Sequence, residues 1–248
     1  MIEKLLKEIE QLKMQLNDLR HLQSYKIVQA LDIEYTYESN KIEGNTLTLQ
    51  ETQLVIEKGL TIGGKPLKEH LEATNHYFAI EYIKQLVEEK TPFTERVLMQ
   101  IHQLVLQGID NHNAGKYRNV QVLISGAKHI PPPPYLVTKQ MEDFFIWYNE
   151  NKSTLHPVVL SAEMHERLVT IHPFIDGNGR TSRLLMNLIL LQNGYPIAIL
   201  KGDVANRLKY YECLEIVQTQ SNKAPFIELI AENVKDTINR ILKSISYE

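Results

Sequence analysis

The strongest constraint on this chain is a period. Apolar residues recur at three- and four-residue steps through most of its 248 residues, the spacing that lines one face of an α-helix and leaves the other to water. Ile2, Leu5, Ile9, Leu12, Leu16 and Leu19 set it first, as a coiled-coil-like seam. Gln23 and Lys26 break that seam before three heptads are complete, so it serves either as a helix docked on its own domain or as a self-association helix. "LDIEYTYESNKIEGN" continues the pattern and stops at Gly44, a left-handed cap. Thr48 and Glu51 then form a capping box for "LQETQLVIEKG", closed by Gly59. Amphipathic segments fill most of the remainder. The period lapses once, in "NVQVLISGAKHIPPPPYLV", where Val120, Val122 and Ile124 alternate ahead of Gly126 and the run from Pro131 to Pro134. That stretch predicts a short β-hairpin leading into an extended proline segment. The expected fold is an all-α bundle with one hairpin. Residues 1–60 form an appended N-terminal helical segment and residues 61–248 the core domain.

Several function classes are disfavoured at once. A net charge of -3 argues against a nucleic-acid binder built on bulk electrostatics. No apolar run approaches the roughly 18 residues a membrane span needs, and the charged N-terminus is no signal peptide. The single cysteine, Cys213, falls in an apolar helical stretch and fits a structural thiol in a reducing compartment. The expectation is a soluble, cytoplasmic protein. His156, His165 and His172 keep spacings that match no zinc motif.

One helix breaks an electrostatic rule. "GRTSRLLMNLILLQ" puts Arg180 and Arg183 in its opening turns, where the helix dipole and unpaired N–H groups disfavour cations by roughly 0.3–1 kcal/mol each. An anion is expected there. The preceding "FIDGNG" supplies glycines and an asparagine that tolerate positive φ and gather backbone N–H groups at one point. A nest of donors, a helix amino end and two guanidinium groups together suit a polyphosphate. Asp176 sits among these anions-to-be and makes sense if Mg²⁺ bridges it to the phosphates. His172 precedes Pro173, which ends the helix before it and offers the imidazole at the lip of the loop. A neutral imidazole can take a proton from an attacking hydroxyl near pH 7. The residues suggest transfer of a phosphate-containing group from a nucleoside polyphosphate to a hydroxyl.

"HPFIDGNGRTSR" resembles the full signature of the Fic family: HPF, any residue, Asp or Glu, GNGR, two residues, Arg. The resemblance extends over roughly residues 35 to 235. It implies a Fic-type helical bundle whose hairpin, with Ile124, is a flap over the nucleotide. It also implies an adenylyltransferase that moves AMP from ATP to a Ser, Thr or Tyr hydroxyl of a target protein, which can be the chain itself. By position, His172 resembles the general base and Asp176 the Mg²⁺ ligand. Gly177, Asn178, Gly179 and Thr181 resemble the anion cradle, and Arg180 and Arg183 the clamp on the outer phosphates. Tyr211 resembles the aromatic beside adenine. Gln218 stands where relatives often carry asparagine. Self-association as a homodimer is a further implication.

"ESNKIEGN" resembles the family's inhibitory motif, filled by Ser39, Glu43 and Gly44 in the N-terminal position. Pairing of Glu43 with Arg183 would hold an outer phosphate out of place. Two other functions use the same residues: removal of AMP from a modified protein, with Glu43 aligning a water, and a non-catalytic nucleotide sensor. The motif reads phosphates better than it reads a base, so other nucleotide donors remain open.

Overall fold

The apolar run from Leu184 to Leu190 has no polar face except Asn187, and a helix of that kind can only sit inside a protein. It does. In the computed structural model, which describes residues 2–246, helix α8 (Asn178–Gln192) is buried from Arg180 to Leu190. Asn187 is satisfied there by the backbone of Ala198, donating to its carbonyl at 3.1 Å and accepting from its N–H at 2.7 Å. Around α8 stand α2 (Tyr25–Ile42), α4 (Leu67–Glu88), α5 (Glu95–Leu106) and α7 (Pro157–Ile171). The outer layer holds α1 (Ile2–Leu19), α3 (Leu49–Lys58), α6 (Pro134–Asn151), α9 (Val204–Gln220) and α10 (Ala224–Ile245). The fold is all-α.

The N-terminal seam is filled by its own domain. Helix α1 lies along α10, and Ile9 and Leu16 are buried in the same core as α8. The caps form as the sequence predicts. Thr48 and Glu51 make a reciprocal capping box at α3. At the end of α2, Gly44 has φ 96°, its N–H donates to Lys41, and the Asn45 N–H donates to Asn40. This Schellman arrangement fixes where Glu43 points into the molecule.

One expectation fails. Among the described residues there is no strand, and the segment expected to be a β-hairpin is a two-limbed loop turning at Ser125 and Gly126. The reason lies in its second limb. Pro131, Pro132 and Pro133 have no N–H to donate, so a ladder could run no further than the four residues from Ala127 to Ile130. Side chains join the limbs instead: Gln121 Nε2 donates to the Pro131 carbonyl, and Arg118 donates to Val120 and Pro132.

Candidate active site

Helix α7 ends at His172, whose backbone is left-handed at φ 52° and ψ 57°. For a non-glycine residue ahead of proline this is strained, and it persists because the surroundings fix it. Arg118 does much of the fixing. Its Nε donates to the His172 carbonyl at 2.8 Å and its backbone N–H to the Pro173 carbonyl at 2.9 Å. The His172 ring donates from Nδ1 to the Val169 carbonyl at 3.3 Å, which leaves Nε2 as the basic nitrogen. Burial pulls its pKa below the usual histidine range, against the Val169 carbonyl, which opposes the shift. The shift favours the neutral ring.

The loop after it is over-determined. Asn178 Oδ1 accepts from the Phe174 N–H and its Nδ2 donates to the Phe174 carbonyl, both at 2.9 Å. The Asn178 side chain therefore shapes the cradle. Gly177, at φ 77°, starts α8, and the Thr181 N–H donates to its carbonyl at 2.9 Å. A side chain at Gly177 would meet Val105 and His102 at 3.3–3.4 Å. His102 lies stacked on Phe174, centroids 3.6 Å apart, and donates from Nε2 to the Asp176 carbonyl while Nδ1 accepts from the Gly115 N–H. Both of its nitrogens are engaged and burial pushes its pKa down to about 4, so it stays neutral.

The two arginines behave differently. Arg183, fully buried, donates from Nε to Ser39 Oγ at 2.9 Å and from Nη2 to the Ser39 carbonyl at 2.9 Å and Glu43 Oε1 at 2.7 Å. Burial opposes its charge, but Glu43 and Tyr210 outweigh that and raise its pKa. Arg180 lies 3.4 Å from both Asp176 Oδ1 and Glu72 Oε1. Among the described residues, Arg180 Nε and Nη1 and Arg183 Nη1 are buried donors without a hydrogen-bond acceptor. Buried unpaired donors cost about 1–3 kcal/mol each, and an anion at this point would satisfy them. Asp176 is half-exposed, with Lys68 Nζ 3.9 Å from Oδ2, and no cluster of three metal-ligating side chains occurs among the described residues.

A cavity of about 490 Å³ adjoins the start of α8. Glu43, His172 and Gly179 line one end, and Ile124, Leu208, Tyr211 and Gln218 border the rest. Tyr211 donates its hydroxyl to the Ile42 carbonyl at 3.2 Å, while its neighbour Tyr210 is buried against His165. Of the residues expected at the site, Glu43, Ile124, His172, Gly179 and Tyr211 line the cavity, and Asp176, Gly177 and Asn178 lie in the loop. Arg180, Thr181 and Arg183 are buried in α8 with Ser39 against Arg183, and Gly44 supplies the turn after Glu43.

The chain was compared with known proteins on this footing. A family model described as Fic/DOC family matches residues 92–190. A solved structure of Fic-1 from C. elegans (residues 134–508) superposes with a TM-score of 0.87 at 31% identity, covering 99% of this chain and 73% of that one. The chain belongs to the Fic/DOC family. A crystal structure titled a Fic domain containing signaling protein, from Bacteroides thetaiotaomicron, gives a TM-score of 0.86 at 27% identity over 98% of this chain and 97% of that one. Curated relatives named protein adenylyltransferase Fic, from Drosophila sechellia and Drosophila melanogaster, are 39% identical over 214 residues, 86% of this chain. The chain spans 42% of the length of each of these relatives.

Three residues around this Fic loop escaped the sequence: Arg118, His102 and Glu72. Their partners are backbone carbonyls or lie far along the chain, and none belongs to a recurring spacing.

Proposed function

We propose that the chain is a protein adenylyltransferase, moving AMP from ATP to a Ser, Thr or Tyr hydroxyl of a protein and restrained by Glu43. The observation that carries this reading is one cavity bordered by the His172 imidazole, whose Nε2 is free, and by Gly179, beside which Arg183 Nη1 is a buried donor lacking an acceptor. His172 Nε2 takes the proton of the incoming hydroxyl. That oxygen bonds to the α-phosphorus, and the bond from it to the β-bridging oxygen breaks, releasing pyrophosphate. Arg180 and Arg183 hold the outer phosphates. Asp176 is the residue that would hold Mg²⁺, and the fit is fair: one half-exposed carboxylate beside phosphates is how this ion is usually bound. When bound, it offsets phosphate charge.

Restraint follows from geometry. Glu43 occupies Nη2 of Arg183, so ATP meets an arginine already engaged. Since a third of the Glu43 side chain is exposed, the pair lies below the about 3–5 kcal/mol that breaking a fully buried one costs. Support for the activity also comes from the Drosophila relatives, which are named protein adenylyltransferase Fic.

The test is auto-modification with labelled ATP. Glu43→Gly raises it at least tenfold over the unmodified chain, and adding His172→Ala abolishes it. Equal labelling of the unmodified chain and Glu43→Gly would remove the restraint. Labelling that persists without His172 would remove the base. A second reading uses the same cavity in reverse. Of the two Glu43 oxygens, Oε1 is held by Arg183, and the other can orient a water that releases AMP from a modified protein. AMP release from such a substrate by the unmodified chain, and not by Glu43→Gly, favours that direction.

A further inference from the structure

Arg183 is gripped by the end of α2 directly, whereas Arg180 is connected to the same end through a residue of α4. Glu72 Oε1 lies 3.4 Å from Arg180 Nη1. Its other oxygen, Oε2, accepts from Asn45 Nδ2 at 3.0 Å, and its backbone carbonyl accepts from Asn40 Nδ2 at 3.2 Å. Asn40 and Asn45 flank Glu43 and themselves form the turn that ends α2. Glu72, Asn45 and Arg180 are all buried, so the carboxylate's placement is not a surface accident.

We propose that Glu72 is the positioning residue for Arg180, setting the guanidinium for the outer phosphates and tying its placement to the turn after Glu43. This rests on the phosphate-binding reading of Arg180 given above. The physical case is one of competing carboxylates. Arg180 has two nearby, Asp176 and Glu72. Asp176 sits half-exposed on the loop with Lys68 beside it, free to turn toward a cation and the phosphates. Glu72 is buried and held at both ends, its backbone carbonyl by the Asn40 amide of α2 and its carboxylate by the Asn45 amide in the turn after α2. When nucleotide draws Asp176 away, Glu72 keeps the guanidinium in register through Nη1, and Nε, which has no acceptor, together with the Nη2 that Asp176 releases, is left for phosphate oxygens. Lys68, 3.8 Å from Glu72 Oε1, balances the remaining charge.

Glu72→Gln keeps shape but leaves one oxygen for two donors, Arg180 and Asn45, so one link is lost. The measurement is calorimetric affinity for Mg-ATP and for AMP, in the Glu43→Gly chain with and without Glu72→Gln. AMP has no outer phosphates and should ignore Arg180. The expected result is ATP binding weakened about tenfold with AMP binding within about twofold of the parent. Asn45→Ala, which spares the Glu72 charge, should weaken ATP about threefold with the same indifference to AMP. Unchanged ATP affinity in both variants, or equal loss of ATP and AMP, would overturn the role of Glu72. A Glu43→Gly parent that binds neither nucleotide would overturn the functional reading itself, and this inference with it.

Discussion

The loop from Phe174 to Gly179 and the flap from Val120 to Pro132 border one cavity but are held by different means. The loop is fixed by bonds between near neighbours in sequence: Asn178 to Phe174 twice, and Asp176 Oδ1 to the Gly177 N–H at 2.6 Å. The flap has few internal bonds, the Gln121 amide to the Pro131 carbonyl and the Ala127 N–H to the Ile124 carbonyl among them. It hangs on Arg118, on His129 Nε2 donating to the Thr170 carbonyl at 2.8 Å, and on a Lys128–Glu215 pair. The loop is consequently part of the folding core, with Phe174 fully buried, while the flap is an attachment whose surroundings are wet. A lesion in the loop should therefore cost stability, and a lesion in the flap should cost turnover. The difference between the two is open to test.

The largest effect is expected at Asn178. Asn178→Ala strands the buried Phe174 N–H and carbonyl together, each worth about 1–3 kcal/mol when unpaired. A loss of about 2–4 kcal/mol lowers Tm by roughly 5–15 °C for a chain of this size. Thermal unfolding followed by circular dichroism reads it directly. A shift under about 2 °C would mean that the loop is held chiefly by His102 and its stack on Phe174, and that local bonds are secondary.

The same contrast decides what the sequence could disclose. Period, caps and the loop signature act over a few residues, so α8, the Thr48–Glu51 box, the Gly44 turn and the His172–Arg183 set were all legible. Glu43 was legible because its motif is compact, although its partner lies 140 positions away. Arg118 gave no signal: all its acceptors are backbone carbonyls, which any residue provides. His102 and Glu72 belong to no motif or spacing that would single them out. The flap misled for a related reason. Alternation at Val120, Val122 and Ile124 describes one strand, but a ladder also needs a facing strand, and the second limb has only Ala127 to Ile130 before Pro131, Pro132 and Pro133 remove its donors.

Arg118 comes next in magnitude, and it probes both regions together. It donates to His172 in one direction and to Val120 and Pro132 in the other. Arg118→Lys retains a charge but not the planar fork that reaches three carbonyls. In the Glu43→Gly background the expected outcome is transfer reduced at least tenfold, with a Tm change smaller than that of Asn178→Ala, since the flap carbonyls can turn to water. Parallel initial-rate and melting measurements separate the two quantities. If the melting loss equals that of Asn178→Ala, the flap belongs to the core after all and the contrast fails.

The smallest effect is expected at the outer edge of the flap. Lys128 and Glu215 pair at 2.7 Å across the cavity mouth, with the lysine largely exposed, and exposed pairs of this kind contribute about 0.2–1 kcal/mol. Lys128→Ala should leave Tm unchanged and raise the KM for ATP by no more than about fivefold. The sharper readout is salt. If the pair helps keep the flap over the nucleotide, raising ionic strength from 50 mM toward 1 M (shrinking the screening length to about 3 Å) should raise KM in the parent and much less in Lys128→Ala. Identical salt dependence in both would show that the flap is held from its base, by Arg118 and His129 alone, and that its tip is free of α9.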